Sequence, residues 1–93
     1  METEVRTLLE SIRKNYGSLV PHIIIRNRLD KLEKSASWLS SQTSLTPSYV
    51  SLIVNGNRRI TINSAIILSR VLDIPVWVLI TSQSAHDLTR EYT

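Results

Sequence analysis

An all-α domain is what this sequence predicts, and three observations carry the prediction. Apolar residues recur at three- and four-residue spacing, as in Val5, Leu8, Leu9, Ile12 and Tyr16, which is the period of one helix face. Such stretches are bounded by residues that start and stop helices: Thr46-Pro47 and Thr61 as starts, Gly17, Asn55-Gly56 and Asp73 to Pro75 as stops. Finally, 93 residues that are 42% hydrophobic, with no low-complexity run, suit one small domain with a modest core.

Taken in order, Thr3 to Tyr16 reads as an amphipathic helix, with Glu4, Arg6, Glu10, Arg13 and Lys14 between its apolar positions and Gly17 ending it. Two uses are open to its stripe, packing on its own domain or pairing with another subunit. Pro21 to Lys34 is the next helix, since Pro is tolerated in a first turn, and Ile24, Ile25, Leu29 and Leu32 supply its apolar contacts. His22 reads as a surface residue at the helix start rather than a ligand. Directly after Lys34, Ser35 or Ser37 must cap a helix from Ala36 to Thr43, in which Trp38 is expected to pack against a neighbouring helix.

Leu45 falls in a turn, and Thr46 followed by Pro47 restarts a helix that runs to Asn55. Val50 and Ile53 lie three apart on its inner face, so Pro47, Ser48, Ser51, Leu52 and Asn55 point elsewhere. Tyr49 has two readings, a hydroxyl that reaches a phosphate and a ring packed at the core's edge. Thr61 caps Ile62 to Leu72, with Ala65, Leu68 and Leu72 inward, and Val76 to Ile80 makes a short last helix or turn. Thr81 to Thr93 is polar without strong periodicity and reads as a frayed tail. The organisation expected is therefore an N-terminal helix over 1–17, a central domain over 18–80 and a tail over 81–93.

Charge placement says more than its total. The net charge of +3 and pI of about 9.7 favour an anionic partner. From Ser35 to Asn57 no residue is charged, whereas Lys31 and Lys34 precede that block and Arg58 and Arg59 follow it. A neutral, hydroxyl-rich surface flanked by cations suits a protein whose flanks hold phosphates while its centre meets base edges.

The stretch Trp38 to Gly56, WLSSQTSLTPSYVSLIVNG, with the NGNRRIT that overlaps and follows it, resembles the helix-turn-helix of the Cro and phage-repressor (Xre-like) family. Leu29 and Leu32 fall where that family has its first helix, and INSAIILSRVLDIPVWVLI resembles its last two, so the likeness covers roughly residues 22 to 80. It implies a small five-helix lambda-repressor-like DNA-binding domain, to which the N-terminal amphipathic helix is an addition. It also implies that the helix from Pro47 enters the major groove by its N-terminal end. Base-edge candidates are then Pro47, Ser48, Ser51 and Leu52, the serines by hydrogen bonds and the other two by apolar contact with a thymine methyl. Phosphate candidates are Ser37, Thr46, Tyr49, Asn55, Asn57, Arg58 and Arg59. With no bidentate Arg or Gln on the reading face, shape and phosphate positioning should carry an unusually large share of recognition.

Several positions depart from the family's habit. Ser44 stands where the turn usually has Gly with positive φ, an expected cost of about 1 kcal/mol. Ala36 replaces a Gln, which removes a customary phosphate contact, and the aromatic usually found at position 78 is displaced to Trp77. Ile67, Val71, Val76, Trp77 and Ile80 are apolar residues that the inner set does not need, so they are expected to be partly exposed and to form a symmetric homodimer centred on Trp77. Such a contact at this end, as in the resembling family, would set two reading helices about 34 Å apart.

The expected function is that of a sequence-specific double-stranded DNA-binding transcriptional regulator, a repressor that occupies a palindromic operator as a dimer. With no further module in the chain, control is expected from its concentration or from a protein partner. A second reading keeps the fold but binds protein, as an antirepressor or the antitoxin of a toxin-antitoxin pair, and rests on the uncharged helix with Leu52 outward. An enzyme is not expected, because Ser35 to Ser51 is rich in hydroxyls but contains no His, Lys, Asp or Glu to act as a base. Zero Cys and two His without metal-like spacing imply no metal and no cofactor. The charged N-terminus is neither a signal peptide nor a membrane span, and no apolar run reaches ~18 residues, so the cytoplasm is the expected compartment.

Overall fold

Six helices follow one another: α1 (Glu2–Tyr16), α2 (Pro21–Leu32), α3 (Ala36–Ser41), α4 (Pro47–Val54), α5 (Ile62–Leu72) and α6 (Val76–Glu91). The structure, a computed structural model, describes residues 2–91, and no strand occurs among them. The domain is thus all-α.

Local chemistry sets the starts. Ser35, Thr46 and Thr61 hold extended backbone, and each side-chain oxygen accepts the N–H three residues on, from Trp38 (3.1 Å), Tyr49 (3.2 Å) and Ser64 (3.1 Å). A cap of this kind contributes about 1 kcal/mol. Pro21 and Pro47 stand in first turns, where the missing N–H has no intrahelical partner to lose.

The stops of α2, α4 and α5 use one backbone conformation with different residues. After α4, Gly56 takes φ 76°. Its N–H donates to the Ile53 carbonyl (3.1 Å) and that of Asn57 to Leu52 (2.8 Å), the paired bonds of a Schellman motif. Glu33 (φ 57°) and Asp73 (φ 54°) close α2 and α5 in the same left-handed conformation, at about 1–2 kcal/mol each for a residue with a Cβ. At α5 the cost is offset by Arg28, whose Nη1 donates to the carbonyls of Leu72 (3.0 Å) and Asp73 (3.2 Å). The stop at Glu33 shortens α2 relative to the expected Lys34, and Leu32, expected inside, is exposed.

Between α3 and α4 the strain expected at Ser44 is absent, because Glu33 and Asp73 are the non-glycine residues with positive φ among those described. Thr43 closes the turn instead. Its hydroxyl donates to the Ser40 carbonyl (3.3 Å) and accepts from the N–H of Leu45 (3.2 Å). Helix α3 therefore stops at Ser41 rather than Thr43.

All six helices contribute to one core: Ile12 from α1, Ile24, Ile25 and Leu29 from α2, Leu39 from α3, Val50 and Ile53 from α4, Ala65, Leu68 and Leu72 from α5, Val78 and Leu79 from α6. Ile60 and Ile74 join from the connections. Burying a side chain the size of Ile or Leu contributes about 1.5–3 kcal/mol. Through Ile12 and Tyr16 the helix α1 packs on its own domain, leaving Val5 and Leu8 exposed.

The main correction concerns α6, which continues to Glu91 instead of ending near Ile80, so residues 81–91 are helix rather than a frayed tail. Tyr92 and Thr93 lie outside the described residues. Polar residues hold this half. Ser82 is buried and donates to the Leu79 carbonyl (3.1 Å), while the buried Gln83 bonds at both ends of its amide.

Candidate nucleic-acid interface

Helix α4 is oriented by Val50 and Ile53, both buried, and this orientation leaves Pro47, Ser48, Ser51 and Leu52 exposed together. Leu52 is 37% exposed. Helix α3 lies against α4, and the Ser40 hydroxyl donates to the Leu45 carbonyl (3.4 Å) across the turn that joins them. All four base-edge candidates thus share a surface.

The phosphate candidates divide into two sets. Ser37, Thr46, Asn55, Asn57, Arg58 and Arg59 are exposed. The Thr46 oxygen accepts the cap bond, which leaves its proton free to donate. Asn55 is held from two sides: its Oδ1 accepts from Arg26 Nη2 (2.9 Å) and its Nδ2 donates to Ser51 Oγ (3.3 Å). Tyr49 belongs elsewhere. Its hydroxyl is bonded to Ser64 Oγ (2.7 Å) and its half-buried ring packs on the core, with the Arg58 guanidinium 5.5 Å from the ring centroid. The core-edge reading of Tyr49 replaces the phosphate reading, because a hydroxyl tied to a buried serine is anchored inward.

Helix α6 holds the loop that follows α4. Gln83 Oε1 accepts from the N–H of Ile60 (2.8 Å), and its Nε2 donates to Asp87 Oδ1 (2.8 Å). Asp87 Oδ2 in turn accepts from Arg59 Nη2. The Arg59 hydrogen bond holds the Asp87 carboxyl below the usual carboxylate range, against the opposing effect of burial and with help from Gln83. Backbone and guanidinium of the loop are therefore fixed from one helix.

On the other side of the loop lies His22. Its half-buried ring rests where a Cβ on Gly56 would stand, at 2.6–2.9 Å from ring atoms, and it meets the His86 ring edge-on with centroids 6.5 Å apart. Burial, then Arg26, then His86 push its imidazole below its ordinary value. A packing residue at a glycine describes His22 better than a solvated one at a helix start.

Of the residues expected at a dimer contact, Trp77 is 44% exposed, whereas Ile67, Val71, Val76 and Ile80 are half-buried. Trp38 packs as expected and carries Lys34 over its ring at 5.5 Å. Sequence reasoning missed Ile62 and Ile66 as exposed apolar residues of α5, and it missed Arg26, Gln83, His86 and Asp87 around the loop. One signal was present, since Gln83 and Asp87 are four apart, the spacing of side-chain pairs on a helix.

The described residues contain no group of three or more His, Asp or Glu that could hold a metal ion, and no helix long and apolar enough to cross a membrane. Compared with protein-family models, curated proteins and solved structures, the chain matches none.

Proposed function

We propose that this protein is a sequence-specific double-stranded DNA-binding regulator of transcription, of the Cro and phage-repressor type, with α4 as its reading helix. The observation that carries the reading is the composition of one surface: an uncharged exposed face on α4, bounded by the exposed cations Arg26, Arg58 and Arg59. Cations at the margin hold phosphates and fix the register, while Ser48 and Ser51 meet base edges and Leu52 a thymine methyl. Two copies joined about Trp77 would read a roughly palindromic site, and occupancy of that site excludes polymerase. The exposed Leu52 on the same uncharged face also supports a second reading, in which α4 docks on a protein.

Selection of bound sequences from random duplex DNA at two salt concentrations tests the proposal. Recovery of one preferred, near-palindromic sequence is expected. Replacing Arg58 and Arg59 by Ala should flatten the slope of log K against log salt by roughly 1 to 2 units. Failure of every duplex to bind would hand the surface to the protein-docking reading.

A further inference from the structure

Between the loop after α4 and the helix α6 lies an open cleft of about 570 Å³, lined by Gly56, Asn57, Arg58, Arg59 and His86. Gly56 and Asn57 lie just past Asn55, the C-cap of α4, so the cleft opens at the C-terminal end of that helix. Its side chains are donors: an amide, two guanidinium groups and an imidazole. The neighbouring carboxylate, Asp87, is already engaged by Arg59 and Gln83. That bond uses one N–H of the five on the Arg59 guanidinium, so the others remain for an anion.

We propose that this cleft is a phosphodiester subsite of the DNA interface and that His86 on α6 is one of its contacts. The inference rests on the DNA-binding reading and extends the interface beyond the helix-turn-helix unit to α6. The groups around His86 are His22 from α2, Arg58 and Arg59 from the loop, and Asp87 from α6 itself, while α1 and α5 contribute none of the lining. His22 packs its ring at Gly56, and Asp87, its carboxyl held low by Arg59, orients the Arg59 guanidinium from α6.

Binding of the full chain to a random-sequence duplex, measured against salt at pH 7 for the wild type, His86→Gln and His86→Glu, separates the outcomes. His86→Gln retains a donor and should keep its affinity within about twofold. His86→Glu sets a carboxylate against the phosphate and should weaken binding about tenfold at low salt, with the gap narrowing as salt rises. Unchanged melting of both variants shows that they are folded. A His86→Glu affinity equal to that of the wild type at low salt overturns the subsite while the DNA reading stands. Absence of binding to any duplex, at any salt, overturns both.

Discussion

Helix α4 and the second half of α6 are secured in opposite ways. Everything that defines α4 lies within or beside it: the Thr46 cap, Pro47 in the first turn, Val50 and Ile53 inward, and the Gly56 turn that closes it. Beyond Ile80, α6 buries Ser82 and Gln83 in place of an apolar pair, and the decisive partner of Gln83 is an amide 23 residues earlier, at Ile60. The difference teaches how the work is divided. A locally specified helix presents the surface, and a helix specified by distant hydrogen bonds fixes the loop at that surface's edge.

The largest effect should come from breaking α4 at its inner face. Val50→Asp places an unpaired charge at a fully buried position, a cost of several kcal/mol against a domain stability of about 5–15. Loss of helical circular dichroism at 25 °C is expected. Leu52→Asp, two residues on and exposed, should change stability by only about 0.5 kcal/mol or less while removing the DNA binding proposed for this face. A folded Val50→Asp protein would mean that α4 is not anchored as described.

Next in size are the two glycines with positive φ. Gly56→Ala must hold the left-handed conformation, about 1–2 kcal/mol for alanine, and must also displace the His22 ring from 2.6 Å. Gly17→Ala carries the same conformational cost, but its Cβ meets only the amide end of Asn27, at 2.9 Å. Urea unfolding should therefore rank Gly56→Ala clearly below Gly17→Ala. Equal losses would show that the His22 ring moves aside freely.

Gln83→Leu sharpens the α6 side of the comparison. It leaves the Ile60 N–H without its partner in a buried site, a loss of about 1–3 kcal/mol. The Ile60 amide should also lose protection in hydrogen exchange. Ser82→Ala, one residue away, removes only a bond to the helix's own previous turn and should be close to neutral. If the two variants behaved alike, the bond to the loop would not be what holds this half of α6.

These contrasts also explain what the sequence makes legible. The boundaries around α4 follow from Thr46, Pro47 and Gly56, residues whose backbone preferences act wherever they stand. Helix α5 is legible for the same reason, through Thr61 and the run of Ala65, Leu68 and Leu72. Hydrophobic periodicity is blind to Ser82 and Gln83, because burial of a polar side chain depends on a partner that only the folded chain supplies. The exposed members of the site were readable as those left over from the core of α4, whereas Arg26, His86 and Asp87 are brought to it by tertiary packing. Tyr49 shows the converse, since its hydroxyl looks available until Ser64 is placed beside it.

The smallest expected effect concerns the ion pair that completes the α6 network. Arg59 lowers the folded-state pKa of Asp87, so the pair adds stability above the carboxyl's unfolded value, about 3.9, and that addition is lost as pH falls through the lower folded value. Both side chains are substantially open to water, and exposed pairs contribute little. Asp87→Asn, which removes the charge and keeps the size, should lower the melting temperature slightly at pH 7. The gap between variant and wild type should narrow as the pH falls through the lowered folded-state value and the wild-type carboxyl is itself protonated. A gap just as wide in acid would show that the charge of Asp87, and with it the pair to Arg59, is not what stabilises the fold.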